Sequence, residues 1–239
     1  MTYPPKEETY LDYYTVNNDY LGERNVTDSH ELVQFHNNSA VRIWCNEEAA
    51  DFETHWHTAL EIILPIHNYY DVTAMQISCH LLPGDILIIP PGEMHRLSAP
   101  ESGRRFIYLL DSFIMKLNGF SSISSILSQP LLITKNTFPK IYDELYHILI
   151  RMQYEYFAQN TYAELSIYSL LLHFFAILGY DRIDSMDSFP NVRPDKKKEY
   201  IKKFNELLEY IDTHYMEELR LEDLAGMIGF SKYHFSRLF

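Results

Sequence analysis

Cysteine is nearly missing from this chain: Cys45 and Cys79 are the two among 239 residues. They lie far apart and in no paired spacing, which excludes a disulfide framework and a cysteine-based zinc site. Long apolar runs are missing as well. The longest, SLLLHFFAIL at 169–178, is too short to span a bilayer. The N-terminal MTYPPKEETY has no apolar core to serve as a secretory signal. No membrane partner is expected, and the chain is read as cytoplasmic. Positive charge is scarce: 20 Lys and Arg stand against 33 Asp and Glu, a net charge of −13. That excludes a protein that coats nucleic acid.

What is present is an ordinary globular composition, 46% hydrophobic and 22% charged, with 19 Tyr and 14 Phe to fill cores and interfaces. The length suits one large domain or two modest ones. Charge is unevenly placed. Residues 1–192 carry 11 basic and 24 acidic side chains, whereas 193–239 carry nine of each. Any contact with DNA is therefore expected from the last fifth of the chain.

Residues 1–28 read as a polar, irregular arm. From 31 to 113 short β runs follow one another: ELVQFH, VRIWC, ALEIILPI, TAMQISCHLL, DILIIP, HRLSA and RFIYLLD, broken by Asn, Pro and Gly. Such spacing predicts a barrel or sandwich. Arg104 and Arg105 read as a solvated hairpin end, and Trp44 and Trp56 as core or stacking residues.

After residue 135 the period changes. Apolar residues at 141, 145, 148, 149 and 152 predict an amphipathic helix over 138–157. A second helix is predicted over 162–178, with Leu165, Tyr168, Leu172 and Phe175 on one side and LLLHFFAIL apolar nearly all round. The pair suits a subunit interface or simple packing on the barrel. Residues 181–194 read as a linker. A last helical region starts near Asp195, with Ile201, Phe204, Leu207, Leu208 and Ile211 flanked by Lys196, Lys197, Lys198, Lys202 and Lys203.

The tail, LRLEDLAGMIGFSKYHFSRLF, reads as two short helices. Leu221, Leu224, Ala225 and Ile228 form one apolar face; Gly229 permits a sharp turn. Ser231 stands at an N-cap. The second helix buries Phe235, Leu238 and Phe239 and turns Lys232, Tyr233, Ser236 and Arg237 outward, an arrangement able to enter a major groove. An αα-hairpin without DNA has the same pattern. The stretch resembles the first helix-turn-helix of the AraC/XylS family of transcriptional regulators, with Arg220 where that family's cap is usually Ser or Thr. Family members carry a second such motif, so the chain is expected to be a truncated product whose DNA binding belongs to a longer one.

Two further segments carry chemistry. His55, His57 and Glu61 stand at offsets of two and four, which on one extended strand would share a face. Later GDILIIPPGEMH places Gly84, Pro90, Gly92 and His95. Both segments resemble the two cupin motifs, H-x-H-x3-E and G-x5-P-x-G-x2-H. Ala49 and Asn68 stand where the first motif has glycines, and Ala99 where the second has Asn. Asn tolerates the left-handed backbone that a glycine position requires.

These resemblances imply an all-β cupin barrel (double-stranded β-helix or jelly roll) followed by an α-helical dimerisation element and a partial helix-turn-helix domain. The expected division is 1–135 sensor, 136–180 dimerisation, 181–194 linker and 195–239 DNA-binding. The implied function is a non-enzymatic, effector-responsive regulator, and the apolar stripe that continues round the second helix predicts a homodimer through the 138–178 helices. A small molecule such as a sugar would bind at His55, His57, Glu61 and His95 and alter how Lys232, Tyr233, Ser236 and Arg237 meet a DNA operator. No cofactor is expected, and no metal for folding. The same His55, His57, Glu61 and His95 equally suit Mn, Fe, Ni or Zn. The alternative is therefore a metal-dependent cupin enzyme of the sugar isomerase or dioxygenase type.

Overall fold

β-branched and aromatic residues dominate 41–110, and in the computed structural model they form two antiparallel sheets. The structure describes residues 25–35, 39–47, 49–74, 77–111, 127, 129–158, 161–186, 207, 210–211 and 214–238. Most of the expected arm and linker, most of the helical region starting near Asp195 with its whole lysine cluster, and Phe239 lie outside the described residues. So do the side chains of Arg237 and Leu238. The chain divides into two compact units, Met1–Met186 and Asp187–Phe239.

In the first unit a short hairpin, β1 (Val26–Thr27) with β2 (His30–Glu31), precedes nine strands. These are β3 (Val41–Asn46), β4 (Phe52–His55), β5 (Leu60–His67), β6 (Tyr70–Ala74), β7 (Ile77–Leu81), β8 (Ile86–Ile89), β9 (His95–Ser98), β10 (Arg104–Leu110) and β11 (Leu131–Ile133). One sheet has the order β11-β8-β5-β10-β3 and the other β4-β9-β6-β7, together an antiparallel two-sheet barrel. Three elements differ from expectation. TAMQISCHLL is split between β6 and β7, which pair as a hairpin from Tyr70↔Leu81 to Ala74↔Ile77. ELVQFH contributes only its first residue to a strand. β11, beyond the expected end of the β region, completes the larger sheet on β8.

The larger sheet is apolar on both faces, which is why its strands read as unbroken hydrophobic runs rather than alternating ones. Ile63, Leu87, Ile89, Ile107 and Leu109 point between the sheets, with Trp44, Phe52, Tyr70 and Leu97. Their neighbours Leu60, Ile62, Leu64, Ile86, Ile88, Phe106 and Tyr108 point outward into a second core shared with the helices. Those helices are α1 (Tyr142–Ala158) and α2 (Ala163–Met186).

α1 and α2 are therefore built onto the barrel. Leu145, Leu149 and Met152 of α1 and Ile167, Leu171, Phe174, Phe175 and Leu178 of α2 belong to that core. At about 1.5–3 kcal/mol per large apolar side chain buried, this layer is a principal source of stability. Tyrosine hydroxyls fix its position: Tyr142 donates to the Gly84 carbonyl (2.7 Å), Tyr108 to the Leu149 carbonyl (3.2 Å), and the Ala40 amide donates to Tyr168 (3.0 Å). Gly84 holds φ 92°, and a Cβ there would stand 2.8 Å from the Tyr142 hydroxyl.

The inward face of α2 differs from the expected one. Phe175 is buried, but Leu165 and Leu172 are 67% and 47% exposed. The helix also outlasts 178 and runs to Met186. Its Ala163–Asp181 portion is long and apolar enough to cross a membrane, with mean hydropathy 1.4. One side of it, Ile167, Leu171, Phe174, Phe175 and Leu178, packs in the core shared with the sheet and α1, and 28% of the portion is buried.

In the second unit α3 (Leu221–Met227) and α4 (Lys232–Leu238) enclose a small core of Leu207, Ala225, Ile228 and Phe235.

Candidate ligand, metal and nucleic-acid sites

His55, His57, Glu61 and His95 come together inside the barrel, each no more than 3% exposed. One extended strand does not achieve this. His55 ends β4, where an irregularity in the pairing with β9 (Phe52↔Leu97, then His55↔His95) turns it inward. His57 lies in the corner after β4, and Glu61 on the inner row of β5. The second motif fixes the first: the amide of Gly92, at φ 77°, donates to the His57 carbonyl (2.8 Å). Asn68, where the cupin motif has glycine, adopts φ 64°. Its side chain donates to the Ser102 carbonyl (2.8 Å) and accepts from the Tyr69 amide (2.9 Å).

The protonation of the three imidazoles follows from their outer partners. Nδ1 of His55 lies 2.7 Å from the Glu53 carbonyl, that of His57 3.0 Å from the Ala59 carbonyl, and that of His95 2.8 Å from the Glu93 carbonyl. A carbonyl only accepts, so each Nδ1 carries the proton and donates. Each Nε2 then offers a lone pair to the interior unless a second proton charges the ring. One ring nitrogen from each of the three residues lies within 4.8 Å of the other two. Glu61 Oε2 is 3.1 Å from Nε2 of both His57 and His95. His95 Nε2 is buried without a well-aligned hydrogen bond. Burial pushes the Glu61 carboxyl up, but the hydrogen bonds and charges of His57 and His95 outweigh it and hold the group well below its ordinary range. Burial lowers His95, and Glu61 more than reverses that.

Lone pairs and a carboxylate converging in a buried place need a positive centre, either protons on the rings or a cation. The residues fit a divalent transition metal. Histidines that donate their outer N–H to backbone carbonyls are the usual form of metal-binding histidine. Donors sharing one ion at about 2.0–2.2 Å stand roughly 3 Å apart at their closest, as Glu61 does here from His57 and from His95.

Glu31 was not legible as a site residue. Its Oε2 lies 3.3 Å from Nε2 of His55. The β1–β2 hairpin places it there through a Glu31 amide bond to the Trp56 carbonyl and a Trp56 amide bond to the Ser29 carbonyl, both 2.9 Å. The His30 ring stacks on Trp56 at 4.3 Å. No motif or spacing in the sequence links position 31 to position 55. Arg105 was also misjudged: it is 1% exposed, over the Tyr70 ring at 4.1 Å and bonded to Asn46 (2.5 Å). β10 starts at Arg104, so strand alternation turns Arg105 inward, while Arg104 pairs with Glu47.

In the second unit Arg220 begins α3 without a side-chain cap, and Gly229 makes the turn at φ 73°. The Phe235 amide donates to the Ser231 carbonyl (2.9 Å), which puts Ser231 at the start of α4. Ala225 and Phe235 are each 1% exposed, so a small residue permits the close approach of the two helices. Leu221, expected inside, is 37% exposed. Lys232, Tyr233 and Ser236 face solvent. Lys232 is paired with Glu222 across the two helices.

No sequence-family profile matches the chain, and no curated protein matches it. Among solved structures, the chain is similar to the apo form of a ToxT variant from Vibrio cholerae, at 13% identity and TM-score 0.40 over 85% of this chain and 93% of that one. It is similar to an RmlC-like cupin from Shewanella frigidimarina at 17% identity and TM-score 0.29, over 30% and 68% of the two chains. A conserved protein of unknown function from Streptococcus pyogenes matches at 14% identity and TM-score 0.27, over 30% of this chain and 62%, under two thirds, of that one. At such scores the likenesses carry no argument, and function has to be read from the residues.

Proposed function

We propose that the protein is an effector-responsive, sequence-specific DNA-binding transcriptional regulator of the AraC/XylS type, with the cupin barrel as sensor. The observation that carries this reading is the second unit. A glycine-turned helix pair closed over Ala225 and Phe235 leaves a polar face of Lys232, Tyr233 and Ser236 in solvent. Such a face suits phosphate and base edges in a major groove. The barrel supplies a ligand site at His55, His57, Glu61 and His95. A bound metal would supply there a positive centre for the oxygens of a small effector. Regulation requires that the effector bind one arrangement of the DNA-binding parts more tightly than another. The exposed stripe of α2, Leu165, Leu172 and Tyr180, supports a homodimer through that helix, which would present two helix pairs to paired half-sites.

Selection of bound fragments from a random DNA pool tests the reading, with the 239-residue chain as bait. Enrichment of one sequence is the expected result; no enrichment overturns it. A second reading, a metal-dependent cupin enzyme, is favoured by the three inward lone pairs. That reading gains if the loaded barrel turns over a sugar phosphate or a dioxygen-dependent substrate while no DNA is selected.

A further inference from the structure

We propose that Glu31 is a fifth ligand of the cation held by His55, His57, Glu61 and His95, so that cation binding clamps the β1–β2 hairpin onto the barrel. The inference rests on the reading of the cluster as a metal site and names a residue outside its two motifs.

Geometry is the first support. The 3.3 Å from Glu31 Oε2 to His55 Nε2 is close to the 3.1 Å from Glu61 to its two histidines, so the three-histidine group has one carboxylate beside His55 and another beside His57 and His95. Charge balance is the second. Three neutral imidazoles and Glu61 leave a divalent ion with one uncompensated positive charge, and such a charge is costly in a buried place. Glu31, whose side chain is 14% exposed, brings the site to neutrality.

The hairpin itself is lightly anchored. Its turn residues Asp28 and Ser29 hold φ 49° and 68°, and β1 is solvent-exposed. Its described contacts with the barrel include two backbone hydrogen bonds, one ring stack and the Glu31 contact, and Val33 and Phe35 just beyond it pack against the inner core. β1 itself is exposed, so opening the hairpin costs less than opening the barrel strands. A bond from Glu31 to the cation would therefore be a large part of what keeps the hairpin closed, and the cation's affinity would include closing it.

Cobalt(II) titration of the metal-stripped 239-residue chain, read by visible absorption and by hydrogen exchange, tests this. Wild type should bind Co(II) and gain amide protection at Glu31, Leu32 and Trp56. Glu31→Gln should bind roughly 10- to 100-fold more weakly, with an altered absorption band and no gain of protection in the hairpin. Glu31→Asp should fall between them. Asp28→Asn removes a charge from the same hairpin while keeping a residue that tolerates the left-handed turn, and should behave as wild type. Unchanged Co(II) affinity, band and hairpin protection in Glu31→Gln overturns the inference while leaving the four-residue site intact. Equal weakening by Asp28→Asn overturns it in favour of a diffuse charge effect. A wild type that takes up no Co(II) overturns both the inference and the metal reading, and leaves the DNA-binding proposal standing on the second unit.

Discussion

The two units of this chain solve opposite problems with polar residues. The barrel encloses three histidines and a glutamate, each no more than 3% exposed, and ties every imidazole to a backbone carbonyl. The C-terminal helix pair buries four described apolar residues and leaves its polar side chains in water. A buried polar cluster of this kind is over-determined: each histidine has an outer partner that fixes its orientation before any ligand arrives, which is the preorganisation a selective site needs. An exposed polar face on a small core is orientated only by the helix that carries it, which suits contact with a large, highly charged partner. Damage should therefore be concentrated and specific in the first unit, and graded in the second.

The largest effect is expected at Glu61. Glu61→Gln keeps the shape and removes the charge shared by His57 and His95. Metal or effector affinity should fall by more than about 100-fold, since outer partners of metal-bound histidines alone are worth about 10–100-fold. Calorimetric titration of the stripped protein measures it. Undiminished binding would mean that the ligand lies elsewhere and that the enclosed cluster is structural.

Next is Ala225. Leucine there forces apart two helices whose contact has no room, at a cost of about 1–3 kcal/mol on a core too small to spare it. DNA selection should be lost while the melting of the barrel, followed by near-ultraviolet dichroism, stays put. A matching fall in barrel melting would show that the two units do not fold separately, against the comparison drawn above.

Leu172→Glu comes third. The side chain is 47% exposed, so the change should leave the fold intact and convert a dimer to a monomer in sedimentation velocity. A wild-type protein already monomeric at micromolar concentration removes the dimer from the proposal.

What the sequence disclosed follows the same division. The seven motif residues were legible because each meets a local demand. Gly84 and Gly92 hold positive φ, and the histidines and Glu61 are an unusual residue set for a barrel interior. The route by which they meet was not legible, because an irregular pairing between β4 and β9 leaves no mark in residue type. Glu31 and Arg105 were missed for a related reason: one is positioned by a partner 24 residues away, the other by where its strand begins. The buried face of α2 was misassigned because a helix apolar nearly all round does not reveal which side faces the sheet. In the tail, Ala225, Gly229 and Phe235 were legible, since helix crossing and turn both depend on residue size.

The smallest effect, and the sharpest test of the exposed face, is Lys232→Ala. Lys232 and Glu222 are paired in solvent, and exposed pairs of this kind contribute little to stability, so melting should not change measurably. Bound DNA would offer Lys232 a phosphate in place of Glu222. Loss of the lysine should then weaken all sequences alike and reduce the slope of log affinity against log salt by about 1. Glu222→Gln should do the reverse, freeing the lysine and removing a nearby negative charge, so that affinity rises at low salt. Fluorescence anisotropy over a salt series separates the outcomes. If Lys232→Ala changes preference at one base while the slope holds, the side chain reads sequence rather than backbone. If neither substitution alters affinity or slope, the Lys232–Glu222 pair only braces α3 against α4, and the DNA-facing surface of the second unit has to be sought on another side.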